Sequence, residues 1–245
     1  MNELEGLTIK EIVTQDYRAA EVFERYSLDF CCGGAKTILE VCGEKSLDPV
    51  MIISDLMQLS QSRNCDANRY NTLPLDALID HIVAVHHGYV GRMLPTIFAH
   101  TQKVASVHGG RHPEVIEIAA RFATVATELQ SHMMKEENIL FPYIKALVAA
   151  EANGDAAPSP PFGSARNPIR MMEQEHQSAG NELYEIRSLS ASYTPPEDAC
   201  TTYRVTYQEL QEFESDLHRH VHLENNILFP KAIALEDRIP GKGRR

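Results

Sequence analysis

The chain has 245 residues, 43% of them apolar and 23% charged, which is the make-up of an ordinary globular protein. A formal net charge of -11 argues against nucleic acid or an anionic membrane as the main partner, because both are held through clustered Lys and Arg, and the tail Lys242, Arg244, Arg245 is too short to change that. No apolar run approaches the roughly 18 residues of a membrane span, the N-terminus MNELEGLTIKEI lacks a basic-then-apolar leader, and five cysteines including the adjacent Cys31-Cys32 make a poor disulfide framework, so a cytoplasmic location is expected.

The elements read almost entirely as helix, and no segment keeps a period of two, so the fold class is all-α with no sheet. Thr8-x-x-Glu11 has the form of a capping box, and 16–26 (DYRAAEVFERY) has helical apolar spacing. A turn-like Asp29-Phe-Cys-Cys-Gly-Gly34 follows. Asp48-Pro49 then opens a helix to about Ser60. The polar stretch 61–71 reads as a linker. Four longer helices are expected at roughly 74–105, 113–150, 168–190 and 197–236, with Asn167-Pro168 and Thr194-Pro195 as start signals. Short connections suggest an antiparallel four-helix bundle. The expected division is a small helical N-terminal domain, 1–65, and the bundle, 72–237. The small domain is near the lower limit for a core of its own, so it would dock on the bundle or on a neighbouring copy, the latter giving a homodimer.

Two stretches nearly duplicate each other: His132-Met-Met-Lys-Glu136-Glu-Asn-Ile-Leu-Phe-Pro142 and His220-Val-His-Leu-Glu224-Asn-Asn-Ile-Leu-Phe-Pro230. Each places His and Glu at i and i+4, on one helix face. That face is the apolar one: Leu210, Phe213, Leu217, His220, Glu224 and Ile227 in the last helix, and Val115, Phe122, Leu129, His132, Glu136 and Ile139 in the second. A glutamate in an apolar stripe is costly unless it is paired or binds a metal. The third helix adds His176 within Ile169, Met172, Ala179, Leu183 and Ile186. The first adds a histidine among Val83, Val90, Leu94 and Ile97. Periodicity barely separates His86 from His87. The spacings, 45 residues from His87 to His132 and 44 from His176 to His220, favour His87 and give the two halves pseudo-twofold order.

Four imidazoles and two carboxylates exceed one tetrahedral zinc site and suit two metals bridged by the glutamates. Mixed nitrogen and oxygen ligation with room for an external ligand favours iron over magnesium, calcium or structural zinc. The bland alternative is a pair of amphipathic helices with core histidines and snorkelling glutamates. Glu128 and Glu175 stand beside the expected ligands at i-4 and i-1. They are either solvated or orient imidazoles and carry protons. His218 and His222 flank the motif histidine and should point elsewhere, while His100, His108 and His112 are expected in solvent. Cys31 and Cys32 sit before two glycines, where a thiolate could react.

With Tyr26-x-x-Asp29-Phe-Cys-Cys-Gly-Gly34 before HMMKEENILFP and HVHLENNILFP, and with 195–202 (PPEDACTT), the chain resembles the iron–sulfur cluster repair di-iron proteins over nearly its whole length. The resemblance implies a hemerythrin-like bundle holding two non-haem iron ions, oxo- and carboxylate-bridged. The family's ligands fall on His87, His132, Glu136, His176, His220 and Glu224, its near-site carboxylates on Glu128 and Glu175, and its thiol pair on Cys31 and Cys32. It further implies repair of clusters damaged by nitrosative or oxidative stress, with damaged iron–sulfur proteins as partners and NO or O2 as a small ligand. Iron donation is the leading mechanism. The alternatives are nitric oxide reduction at the di-iron centre, with Glu128 or Glu175 delivering protons, and an O2- or NO-binding or sensing module. The chain departs from the pattern in its extra histidines, His86, His218 and His222, and in a longer, Pro-rich second connection.

Overall fold

The computed structural model describes residues 3–26, 28–30, 34–61 and 69–240; the thiol pair Cys31 and Cys32 lies outside them. Among the described residues no strand forms, and none of the helices is long and apolar enough to cross a membrane. The first part holds α1 (Ile9–Gln15), α2 (Ala19–Arg25), α3 (Ile38–Lys45) and α4 (Pro49–Gln61). Thr8 and Glu11 form the expected capping box: Thr8 N–H donates to Glu11 Oε2 at 2.8 Å and Glu11 N–H to Thr8 Oγ1 at 3.4 Å. Thr37 and Glu40 repeat it at 2.7 and 3.3 Å and open α3, a helix the sequence reading passes over. Helix α2 starts at Ala19 rather than Asp16, because the Asp16 carboxylate turns back to accept from Arg18 N–H and Nε–H at 3.1 and 2.9 Å. Val50 N–H donates to Asp48 Oδ1 at 2.9 Å and starts α4 as expected. Ile9, Phe23, Leu28, Phe30, Ile38 and Ile52 fill a core of their own.

This part docks on the chain's own bundle. Glu24 takes two hydrogen bonds from Arg219, at 3.0 and 2.7 Å, and the Asn71 amide donates to the Thr14 carbonyl. The Phe30 ring lies 5.9 Å from the His218 ring and 5.8 Å from that of His222, so both histidines turn to the N-terminal part.

The bundle comprises α5 (75–108), α6 (114–153), α7 (Arg166–Leu189) and α8 (201–238). Each helix packs on its chain neighbours, and α8 closes on α5. Two apolar clusters fill the interior. One contains Leu94, Phe122, Leu183 and Phe213, the other Ile79, Ile144, Met172 and Phe229. The predicted ligands lie along each helix between these clusters, which makes them a polar layer inside an apolar stack.

Three bundle helices open into π-helix at this layer: Ile82–His87, Glu136–Leu140 and Glu224–Leu228. In α6 and α8 the repeated Phe-Pro explains it. Pro142 and Pro230 cannot donate to the carbonyl four residues back and would clash with it, so Phe141 and Phe229 bond instead to Glu136 O and Glu224 O, five residues back. Ile139, expected in the stripe, is 48% exposed, and Leu140 takes its place at 1%.

Two other expectations are corrected. Helix α8 begins at Thr201, four residues after the expected 197; in the connection before it Ala191, Ser192 and Tyr193 all take positive φ (48°, 58°, 59°) and the Tyr193 hydroxyl donates to buried Glu214 at 2.9 Å. His100, His108 and His112 are half-buried rather than in solvent; they pair with Glu209 at 2.7 Å, Cys200 Sγ at 3.2 Å and Asp198 at 3.0 Å.

Candidate metal centre

The six residues His87, His132, Glu136, His176, His220 and Glu224 converge in the polar layer, all 5% exposed or less. All four imidazoles point Nε2 inward. His87 Nε2 lies 3.2 Å from His220 Nε2, and His176 Nε2 lies 2.9 Å from His132 Nε2. The glutamates sit between these pairs. Glu136 Oε2 is 3.4 Å from His87 and 3.3 Å from His132. Glu224 Oε1 is 3.1 Å from His220 and Oε2 is 3.1 Å from His176. The result is two groups, His87/His220 and His132/His176, each completed by the same Glu136 and Glu224, with one ligand atom from each residue within 4.8 Å of the others. Exchanging the halves swaps His87 with His176, His132 with His220 and Glu136 with Glu224, the order the spacing suggests.

The donor set fits metal ions. Glu136 and Glu224 are fully buried, and both Glu136 oxygens and Glu224 Oε2 have no hydrogen-bonded partner. A carboxylate so placed costs several kcal/mol unless a cation answers it. Protons answer it in part. Burial works against charge on His87, but the neighbouring Glu136 and Glu224 outweigh it and carry its pKa up to about 10; His132, beside Glu136, rises to about 9. Burial pushes His220 down. Burial would raise both carboxyls, yet the imidazoles hold Glu136 below its ordinary range and Glu224 well below it. Metal binding needs neutral imidazoles, so these protons and a metal compete for one place.

The outer nitrogens are held unequally. His132 Nδ1 is 2.9 Å from Glu175, which Lys135 also holds, so Glu175 joins the site to the surface. Glu128 is exposed and accepts from Ser178 Oγ at 3.3 Å; the structure does not bring it to the imidazoles. Two partners escape the sequence reading. Glu137 meets His87 Nδ1 at 2.8 Å, and Asn225 Oδ1 meets His176 Nδ1 at 2.9 Å. Both directly follow the repeated glutamate, so the signal lay in the repeat, one position beyond the ligand. His86 turns its Nδ1 to Asp216 at 3.0 Å and stacks on His220 at 5.6 Å between centroids.

The hemerythrin HHE cation binding domain pattern matches residues 78–232, and a domain of unknown function (DUF542) matches residues 6–60. The chain is 37% identical to the iron–sulfur cluster repair protein YtfE of Musicola paradisiaca, over 88% of this chain and 91% of that one. The chain belongs to the iron–sulfur cluster repair protein family. It is also 38% identical to the YtfE protein of Citrobacter koseri, over 89% of this chain and 93% of that one. With the probable iron–sulfur cluster repair protein of Haemophilus influenzae it shares 36% identity over 92% of this chain and 96% of that one. Family membership and the converging His and Glu side chains agree on a metal-binding helical bundle.

Proposed function

We propose that His87 and His220 hold one iron ion, that His132 and His176 hold a second, and that Glu136 and Glu224 bridge them. The protein then repairs iron–sulfur clusters damaged by nitrosative or oxidative stress by handing iron to them. The observation that carries this reading is the sharing of both buried glutamates between two histidine pairs; a single-metal site would need only one pair. Bound iron supplies the cargo and a site where NO or O2 can coordinate. The chain's own residues bind and orient. Four Nε2 atoms face inward, Glu175, Asn225 and Glu137 fix three rings from outside, and the apolar clusters on either side exclude water. Two carboxylates neutralise only half the charge of two divalent ions in a buried site, which favours giving the metal up. The test is whether iron-loaded protein restores activity to a nitric-oxide-damaged cluster enzyme while free iron is chelated. No recovery under that condition refutes donation.

A second reading, nitric oxide reduction at the same site, draws on Glu175, whose side chain is 30% exposed while touching His132 Nδ1. A carboxylate that spans from ligand to surface can carry protons inward. Catalytic nitrous oxide formation by the reduced protein, lost in Glu175→Gln, would be its signature.

A further inference from the structure

The two halves of the site are built from a repeat, yet their imidazoles are not equally anchored. In the His132/His176 group both outer nitrogens have side-chain partners: Glu175, itself held by Lys135, and Asn225, each at 2.9 Å. In the His87/His220 group, His87 Nδ1 leans on Glu137 at 2.8 Å, a side chain 44% exposed. His220 Nδ1 is buried with no partner. The inner geometry does not separate the groups: each imidazole stands 3.3 and 3.1 Å from its nearest glutamate in the first group and 3.4 and 3.1 Å in the second, so the difference lies in the outer nitrogens.

The sequence supplies the cause. Glu175 precedes His176 and serves His132 across the layer. By the pseudo-twofold, the residue that should serve His220 precedes His87, and it is His86. An imidazole there stacks face to face on His220, 5.6 Å between centroids and 8° between planes, and spends its Nδ1 on Asp216. It therefore cannot hold the His220 ring as a carboxylate would. Outer hydrogen bonds fix ligand orientation and basicity, and losing one typically costs roughly 10–100-fold in metal affinity. Glu137 also lies at the wall of an open cleft of about 750 Å³ between α5 and α6, lined by Leu94, Phe98, Met133 and Asn138 among others. The weaker group is thus the one with a single outer anchor, Glu137, 44% exposed against 30% for Glu175.

We propose that the His87/His220 position is the one that releases its iron, with Glu137 the positioning residue that sets how fast. This rests on the two-iron reading above. The test is iron release from the full-length protein, loaded anaerobically with ferrous iron and mixed with excess chromogenic chelator. Wild type should lose its iron in two phases of about one ion each. Glu137→Ala should speed the fast phase roughly 10–100-fold and leave the slow one in place, while Glu175→Ala should speed the slow phase. His86→Glu, which gives His220 the partner His132 has, should slow the fast phase toward the other. A single phase in wild type overturns the proposal, as does Glu137→Ala acting on the slow phase or His86→Glu leaving the fast one unchanged. Thermal melts of the metal-free variants separate ligand positioning from a folding defect: a melt that falls with an unchanged release profile overturns the assignment. The readout is release alone, so two clean phases without cluster repair would refute donation and leave this asymmetry standing.

Discussion

Replacing Glu136 by Gln is the most discriminating change. The amide keeps the shape of the side chain but removes the charge, and its Oε2 counterpart is shared by His87 at 3.4 Å and His132 at 3.3 Å. If the carboxylate bridges, one substitution should weaken both metal positions; His176→Ala should weaken mainly one. A ligand at 1,000 times its Kd adds about 4 kcal/mol to folding stability, and a chain of this size moves by about 2–4 °C per kcal/mol. Each filled position should therefore raise Tm by roughly 8–16 °C at that saturation. Glu136→Gln should lose most of that rise for both. Its metal-free form should itself melt below wild type, because the imidazoles outweigh burial and the Glu224 repulsion in holding Glu136 ionised and the amide gives up that pairing, so the metal-dependent rise is read against each variant's own metal-free melt. The assay is iron per chain by chelator colorimetry, with anaerobic thermal melts plus and minus ferrous iron. If Glu136→Gln keeps two irons, or loses one while the other keeps its wild-type hold, Glu136 does not bridge and the shared-glutamate argument falls.

Further outcomes follow from the same contacts. With His87 raised to about 10 and His132 to about 9, the metal-free site carries protons on both at pH 7, so titrating in divalent metal should release about two protons per chain, measurable in weak buffer. Arg187→Ala leaves Glu214, 6% exposed in its side chain, without its 2.7 Å partner and should cost about 3–5 kcal/mol by urea unfolding. Glu236 is held below its ordinary carboxyl value of 4.5. Partial burial opposes this, and donors from Ser164, Tyr143 and Ala165 outweigh it. A depressed folded value means the stabilisation is present above the ordinary value and is lost as pH falls, so the gap in urea midpoint between wild type and Glu236→Gln should be full at pH 7 and shrink below about pH 4.5. Thr37→Ala removes a capping box and should cost about 1 kcal/mol in the same assay.

The sequence by itself determined the fold class, the four bundle helices to within a few residues and the six converging side chains. The repeat and the 3.6-residue period are local facts, and a His and a Glu one turn apart must share a face wherever the helix goes. Periodicity could not choose between His86 and His87; the structure turns His87 inward and His86 toward Asp216. Nor could it foresee that Ile139 is exposed while its repeat counterpart Ile227, in the same π turn, is buried where the N-terminal part packs on α8. The start of α8 at Thr201 goes with a connection whose Tyr193 reaches Glu214, well inside α8 itself. Only tertiary packing could pair His87 with His220 and His132 with His176, place Glu137 and Asn225 on outer nitrogens, and send Glu128 to the surface. Those are distances between helices, and a helical period fixes which way a side chain faces but not what it meets there.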